Sequence, residues 1–262
     1  MIGAITNDFD STRPNVARMY DYYLGGKDHY AADRACAEEV IRHAPQARDI
    51  ALANRAFLGR AVRFLAGEAG IGQFLDIGAG LPTRDNVHEV AQRVNPASRV
   101  VYVDNDPVVL IHARALLATD AQTRAIAGDV RKPSDILTHP DMHALLDSSK
   151  PVAVLLVAVL HFIPDDQEPY AAVRTLVDAM APGSYLVVSH AEQTPELQGA
   201  AKRYERANAP AVLRSVAEIR GFFEGLELVD PGLVNVRRWR PEVADPWQDP
   251  NVPFFGAVGV KP

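Results

Sequence analysis

Three aspartates and two glycines are the residues of this sequence most able to bind a ligand. Asp76, Asp104 and Asp129 each lie at or just beyond the end of an apolar stretch, and Gly78 and Gly80 follow the first of these stretches. Glycines after a strand let the backbone turn tightly and approach a ligand closely. A carboxylate at the end of the following strand commonly binds the ribose hydroxyls of a nucleoside. The spacing predicts a βαβ unit that binds an adenosine-type cofactor.

Two cofactors fit this pattern, a nicotinamide dinucleotide and S-adenosylmethionine. A dinucleotide fingerprint requires a third glycine, because the pyrophosphate lies at the N-terminus of the helix. Here Gly80 is followed by Leu-Pro-Thr-Arg-Asp. Pro82 removes a backbone donor, and Asp85 would repel a phosphate, although Arg84 partly offsets that charge. S-adenosylmethionine carries no phosphate, so the turn favours this methyl donor, and an NAD-dependent oxidoreductase is the less favoured alternative.

Each carboxylate has a predicted role in binding S-adenosylmethionine. Asp76 would accept a hydrogen bond from the methionine ammonium group, and Asp104 would accept bonds from both ribose hydroxyls. Asp129 would accept a bond from the exocyclic amine of adenine, while the amide of Val130 donates to a ring nitrogen. Alternatively, Asp76 caps the amides of the turn and Asp129 is only a turn residue. Two neighbours are predicted to touch the same cofactor, Ala79 and Asn105.

The order of apolar and amphipathic segments predicts the fold. Residues 1–70 are expected to form a helical N-terminal lobe or cap, and residues 71–262 a Rossmann-like domain within one structural unit. Predicted strands are 73–77, 99–104, 124–127, 152–158, 184–189, 226–229 and 254–260. Predicted helices after the lobe are 84–94, 107–118, 134–147, 166–180, 195–207 and 212–222. Alternating strands and helices predict a doubly wound α/β fold, and two final strands without an intervening helix predict a seven-stranded sheet whose last strand is antiparallel.

Composition excludes several classes of protein. The net charge of −6 argues against broad binding to nucleic acid, and the cluster of Arg237, Arg238 and Arg240 is better explained as a solvated loop. Cys36 is the single cysteine, so an intrachain disulfide or a cysteine-based zinc site is impossible, and no metal site is predicted. The most apolar run, residues 151–162, is too short to span a membrane. We expect a cytoplasmic protein without membrane or nucleic-acid partners.

The chain resembles the class I S-adenosylmethionine-dependent methyltransferases. Four motifs occur in the order that this class uses, namely Asp76-Ile-Gly-Ala-Gly80, Asp104, Gly128-Asp129 and residues 155–160. The run from Pro14 to Tyr30, PNVARMYDYYLGGKDHY, is similar to the signature of one bacterial family formerly catalogued as a domain of unknown function. The resemblance implies a methyltransferase that uses S-adenosyl-L-methionine, and it names no acceptor.

The end of the fourth predicted strand should lie beside the methyl group that is transferred. Ala158 is expected to contact the cofactor there, and His161 could act as a general base if the acceptor must lose a proton. Alternatively, His161 shapes the pocket or binds a backbone carbonyl; His190 is a weaker candidate for the same task. The segment does not resemble the Asn-Pro-Pro-Tyr sequence of enzymes that methylate amines of nucleic acids. The expected acceptor is therefore a small molecule.

The aromatic N-terminal segment has two interpretations. It could form a cap that hinges at Gly25-Gly26, with Tyr23 and Lys27 reaching the carboxylate of the cofactor or the substrate. It could instead be a helix whose aromatic rings pack on the sheet. Tyr204 and Trp239 are further candidates for lining an acceptor pocket. The predicted function is S-adenosylmethionine-dependent methyl transfer, and the alternative is a non-catalytic regulatory protein that binds S-adenosylmethionine or S-adenosylhomocysteine.

Overall fold

Three helices precede the first strand in a computed structural model of the protein, which describes residues 10–83, 85–117, 121–241 and 252–262. They are α1 (Val16–Tyr23), α2 (Ala31–His43) and α3 (Ala47–Gly67). Asn15 begins α1, because its side-chain oxygen accepts hydrogen bonds from the amides of Ala17 at 2.9 Å and Arg18 at 3.1 Å. We call α1–α3 the helical lobe. The prediction of a helical N-terminal lobe is confirmed for the described residues.

The lobe is tied together by a buried ion pair. Nε of Arg18 lies 2.8 Å from Oδ2 of Asp33, and both side chains are almost completely buried. The Asp33 carboxylate also accepts hydrogen bonds from the amides of Asn15 at 2.9 Å and Tyr30 at 2.7 Å. A buried carboxylate needs this many partners, because it has lost its water. The bonds join the beginning of α1 to the beginning of α2.

A mostly parallel sheet forms the centre of the molecule. Its strands are β1 (Gln73–Ile77), β2 (Arg99–Asp104), β3 (Thr123–Ala127), β4 (Ala153–Val157), β5 (Tyr185–Ala191), β6 (Glu227–Leu228), β7 (Val234–Asn235) and β8 (Phe254–Val260). The spatial order is β3-β2-β1-β4-β5-β8-β6, and β7 also pairs with β8. Strands β1–β5 are parallel, and β8 is antiparallel to β5, β6 and β7. This confirms the predicted Rossmann-like sheet with an antiparallel last strand.

The sheet has eight strands, whereas the sequence predicted seven. The additional strand, β7, is two residues long and lies between the last two predicted strands. A pair of residues is too short to show the alternation of polar and apolar side chains that identifies a strand. The remainder of that segment, residues 242–251, is outside the described residues.

The remaining helices are shorter than predicted. They are α4 (Val87–Val94), α5 (Pro107–Leu116), α6 (Pro133–Leu137), α7 (Pro140–Leu145), α8 (Pro169–Ala179), α9 (Pro195–Ala201) and α10 (Val216–Gly221). The predicted helix 134–147 is divided because Pro140 disfavours helical backbone at the residue before it. Ends predicted at residues 84 and 118 lie outside the described residues. Among the helices that the structure describes, none is long and apolar enough to cross a membrane.

Both faces of the sheet are buried. Neighbouring residues of β1 point to opposite faces, so Phe74 belongs to the hydrophobic cluster beneath the lobe and Leu75 to the cluster on the other side. On the lobe side, Phe57 of α3 is fully buried, and its ring centroid lies 5.5 Å from that of Trp239. Trp239 therefore belongs to the core.

Phe57 should contribute much more to stability than an exposed residue of the same helix. We expect Phe57→Ala to lower the free energy of unfolding by about 3–5 kcal/mol, because it leaves a cavity in the core. Leu52 is 54% exposed, and Leu52→Ala should cost less than about 1 kcal/mol. Chemical denaturation of both variants measures the difference, and equal losses would contradict the packing described.

Candidate functional site

A crevice opens at the carboxyl edge of the sheet, where the chain leaves β1 toward β2 and later returns to β4. Open α/β sheets bind ligands at such a switch in strand order. Of the predicted cofactor-binding residues, nine line this edge crevice: Asp76, Gly78, Ala79, Gly80, Asp104, Asn105, Asp129, Val130 and Ala158. The structure thus brings together side chains from four successive strand ends.

The glycine turn after β1 is folded back onto the end of β2. Gly78 has φ of 76°, and a Cβ atom there would lie 2.3 Å from Cγ2 of Val159. The amides of Gly78 and Ala79 both donate to the carbonyl oxygen of Val103, at 2.8 and 3.2 Å. No larger residue fits at position 78 without moving the loop after β4. The turn therefore leaves the end of β1 accessible to a ligand.

The carboxylate of Asp104 is a hydrogen-bond acceptor in the edge crevice. Its carboxylate accepts hydrogen bonds from the amides of Gly80 at 3.0 Å and Asp106 at 2.9 Å. Burial raises the pKa of Asp104 to about 6, while these backbone hydrogen bonds act in the opposite direction. A carboxylate can accept about four hydrogen bonds, so Asp104 keeps capacity for a pair of hydroxyl groups.

Asp76 is buried in the crevice without a hydrogen-bond donor among the described residues. Burial raises the pKa of Asp76 to about 7; the charge of Arg55 lowers it and that of Asp104 raises it. The Arg55 guanidinium lines the same crevice and donates to the carbonyl oxygen of Asp85 at 3.1 Å. A buried carboxylate beside a cation suits a ligand that carries both an ammonium group and a carboxylate.

Asp129 follows the Gly128 turn after β3. Its two carboxylate oxygens accept hydrogen bonds from Nε of Arg131, each at 2.9 Å. Burial alone would raise the pKa of Asp129, but these bonds and the Arg131 charge hold it below its ordinary value. A Cβ atom at Gly128 would lie 2.7 Å from Cγ1 of Val103, so glycine lets this turn pack closely. The turn places Val130, which is buried, beside the crevice.

The cap interpretation of the N-terminal segment named Tyr23 and Lys27, whereas the start of α1 forms the wall of the crevice. Asn15, Val16, Ala17 and Tyr20 all line it. The Asn15 side chain donates to the Asp106 carboxylate, which attaches α1 to the loop after β2. Asn15 could have been found as a helix cap, since it directly precedes an amphipathic run. The sequence did not single out Arg55 as a binding residue, because it is one of several arginines along α3.

A second chamber, which we call the inner pocket, adjoins the edge crevice. The two share Val16, Tyr20, Asn54, Ala158 and Phe162. About 710 Å³ of space free of protein atoms lies in the inner pocket and in the open solvent at its mouth together. It extends between the lobe, α9 and the loop after β4.

Ala158 lies at the junction of the two chambers, in the left-handed region of backbone conformation with φ of 59°. Its amide donates to Oγ of Ser189 at 3.0 Å, and Ser189 Oγ donates to Oδ1 of Asn54 at 2.6 Å. Asn54 Nδ2 in turn donates to the hydroxyl of Tyr20 at 2.9 Å. This chain of bonds holds the uncommon conformation.

His161 lines the inner pocket and is only 8% exposed. Its Nδ1 is buried and has no hydrogen-bond partner among the described residues. Burial, and then the charges of His190 and Arg214, lower the pKa of His161 well below its ordinary value. The ring is therefore neutral near pH 7, and one of its two nitrogens is unprotonated.

His190 differs from His161 because both of its ring nitrogens are engaged. Nδ1 lies 2.8 Å from the carbonyl oxygen of Ala191, and Nε2 lies 2.9 Å from a guanidinium nitrogen of Arg214. Burial lowers the pKa of His190 to about 4. Arg214 also donates to the carbonyl oxygens of Leu160 at 3.0 Å and Ile163 at 2.9 Å. Arg214 thereby holds the turn that carries His161, and His190 has no nitrogen left for a substrate.

Two predicted residues lie outside the edge crevice. Tyr23 lines the inner pocket, where its hydroxyl is 3.2 Å from that of Tyr204. Lys27 is exposed and lines neither chamber. It lies beyond the C-terminus of α1, whereas the N-terminus of α1 contacts the crevice, and an eight-residue helix separates its ends by about 12 Å. No cluster of metal-binding side chains occurs among the described residues.

The raised pKa of Asp76 makes stability depend on pH. The folded protein keeps this proton up to a pH of about 7, whereas the unfolded chain loses it near 3.8. The folded state therefore binds more protons in this range, and the free energy of unfolding should fall as pH rises, by up to roughly 4 kcal/mol for Asp76. Denaturation of wild type and Asp76→Asn between about pH 5 and about pH 8 tests this. The fall should be smaller in the variant; parallel curves would refute the burial of Asp76.

Comparison with known proteins identifies the family. The sequence matches the family described as S-adenosyl methyltransferase over residues 3–262. A crystal structure from Thermobifida fusca, provisionally assigned as a methyltransferase, is 46% identical with a TM-score of 0.90, covering 97% of this chain and 96% of that one. A DUF574 family protein from Streptomyces avermitilis is 43% identical with a TM-score of 0.92, covering 97% and 99%.

A distant structure shares the fold. Human N-acetylserotonin methyltransferase, solved in complex with S-adenosylmethionine, is 13% identical with a TM-score of 0.51, covering 95% of this chain and 63% of that one. No curated protein matches the sequence at a significant level. The match along nearly the whole chain, together with the two bacterial structures, shows that the protein belongs to the S-adenosyl methyltransferase family.

Proposed function

We propose that the protein binds S-adenosylmethionine in the edge crevice and transfers its methyl group to a small-molecule acceptor. The observation that carries the proposal is the meeting of Asp76, Asp104 and Asp129 with the Gly78–Gly80 turn in one crevice. Family membership supports methyl transfer in general. The cofactor supplies a methyl group that is already activated on a sulfonium. The protein therefore has to bind the cofactor and the acceptor, orient them and exclude water.

Each of these side chains binds a different part of the cofactor. Asp104 accepts hydrogen bonds from the ribose hydroxyls, and Asp76 accepts one from the ammonium group. Asp129 and the amide of Val130 bind the adenine edge, with Arg131 holding the Asp129 carboxylate in place. Arg55 binds the carboxylate of the methionine part, because it is the cation that acts on Asp76 within the crevice.

The inner pocket favours an enzyme over a non-catalytic regulator. A regulator needs the edge crevice alone, whereas an enzyme also needs space beside the position of the methyl group. That space exists next to Ala158, at the end of β4, and His161 lines it. The NAD-dependent alternative has less support, because the turn that lines the crevice lacks the third glycine of a dinucleotide fingerprint.

Asp104→Ala should abolish tight binding of the cofactor. Because hydrogen bonds to a charged group contribute about 1.5–3 kcal/mol each, loss of the two ribose bonds should weaken S-adenosylmethionine and S-adenosylhomocysteine binding by about 100-fold or more. Isothermal titration measures this. Asp178→Ala is the control, because Asp178 is exposed near the opposite edge of the sheet, where its carbonyl binds Lys261. Unchanged affinity in Asp104→Ala would show that the ribose is bound elsewhere. Wild-type protein that binds NAD and not S-adenosylmethionine would overturn the proposal.

A further inference from the structure

We propose that the inner pocket is the acceptor site and that the acceptor is an uncharged aromatic compound whose hydroxyl group lies against His161. The proposal rests on the function proposed above, because it deepens that function to a class of substrate. It follows from the position of the inner pocket, from the absence of charged side chains among the described residues that line it, and from the neutral imidazole and the tyrosine hydroxyl in that lining.

The inner pocket adjoins the edge crevice. The edge crevice and the inner pocket meet at Ala158, where the end of β4 turns away from the sheet. Phe162 and Tyr20 contribute to both chambers. A ligand in the inner pocket can therefore place one of its atoms directly beside a ligand in the edge crevice, as transfer between them requires.

The lining determines the charge of the ligand. Among the described residues that line the inner pocket there is no Asp, Glu, Lys or Arg. Two of its polar side chains, Asn54 and Tyr20, are already bonded to Ser189, to each other and to the carbonyl oxygen of Ala51. A buried charge is costly unless it is paired. The pocket therefore selects against carboxylates and ammonium groups.

Aromatic rings form one wall of the inner pocket. His161 lies 4.2 Å from Phe162 and 5.6 Å from Phe254 between ring centroids, and Phe162 lies 5.6 Å from Tyr204. Rings in such tilted and edge arrangements leave faces and edges to which another ring can add. A flat aromatic ligand fits this wall better than a branched aliphatic one.

His161 provides the partner for a hydroxyl group. His161 lines the pocket, and because its ring is neutral, one ring nitrogen carries a lone pair that can accept the proton of an acceptor hydroxyl. In the transfer, the hydroxyl oxygen forms a bond to the methyl carbon as the carbon–sulfur bond breaks. The electron pair of that bond stays on sulfur, and the hydroxyl proton passes to the imidazole.

The tyrosine pair offers a second polar contact. The hydroxyls of Tyr23 and Tyr204 share one hydrogen bond at 3.2 Å. One of the two hydroxyl hydrogens is used in that bond, and no other described partner takes the second one. It is available to an oxygen on the ligand, such as a carbonyl or ether. The preferred acceptor is thus a phenol with an additional uncharged oxygen.

Titration with three matched probes tests the class of ligand. Protein saturated with S-adenosylhomocysteine is titrated with 2-naphthol, 2-naphthoate and 2-naphthylmethylammonium. We expect 2-naphthol to bind more than about tenfold more tightly than either ion, because neither ion finds a partner for its charge. Equal affinities, tighter binding of an ion, or binding of none of the three would overturn the inference.

Variants test the role of His161 separately from the cofactor site. In His161→Phe, the preference for 2-naphthol over 2-methylnaphthalene should disappear, and 2-naphthol should no longer be methylated. The affinity for S-adenosylhomocysteine should stay within about threefold of wild type, since His161 lies outside the edge crevice. Tyr22→Phe is the control, because its hydroxyl binds Glu38 outside the pocket.

The outcomes separate the two proposals. Failure of wild type to bind S-adenosylhomocysteine would overturn the proposed function and this inference together. Normal binding of S-adenosylhomocysteine with an unchanged preference for 2-naphthol in His161→Phe would overturn only the assignment of the hydroxyl to His161.

Discussion

The buried ion pair between Arg18 and Asp33 fixes the start of α1 over the sheet, and both chambers depend on it. The Asp33 carboxylate also accepts a hydrogen bond from the amide of Asn15. The side chain of Asn15 in turn donates to the carboxylate of Asp106, in the loop after β2. The lobe is thus attached to the same loop that carries Asp104. Because a buried charge is tolerated only with its partners in place, the position of α1 is defined by polar contacts and not by hydrophobic packing alone.

A second set of contacts attaches α3 to the other half of the sheet. Asn54 bonds to Ser189 on β5, and Ser189 holds the amide of Ala158. The lobe therefore contacts the sheet on both sides of the switch between β1 and β4. The strand ends alone would form an open groove, and the lobe adds walls that divide this groove into two connected chambers.

Much of this arrangement could be predicted from the sequence because strand ends are local features. Asp76, Asp104 and Asp129 each follow a recognisable apolar run, and parallel strands bring their carboxyl ends to one edge. The inner pocket could not be predicted in the same way. It joins residues such as Tyr23 and Tyr204, which are distant in sequence and meet only through the packing of the lobe on α9.

The histidines illustrate the same limit. His161 follows β4 and His190 lies near the end of β5, and the sequence does not distinguish them beyond their position. The difference arises from Arg214, which is distant in sequence from either and occupies a nitrogen of His190 only. Lys27 shows the converse, because the composition of its segment indicated a binding role while the direction of α1 places it in solvent.

Helix α1 is a shared wall, since Val16 and Tyr20 face both chambers. Any displacement of α1 that opens one chamber must alter the other. If both chambers bind ligands as proposed, the two ligands contact the same helix, so a ligand that restrains α1 would lower the entropic cost of binding the other, and the effect would be reciprocal.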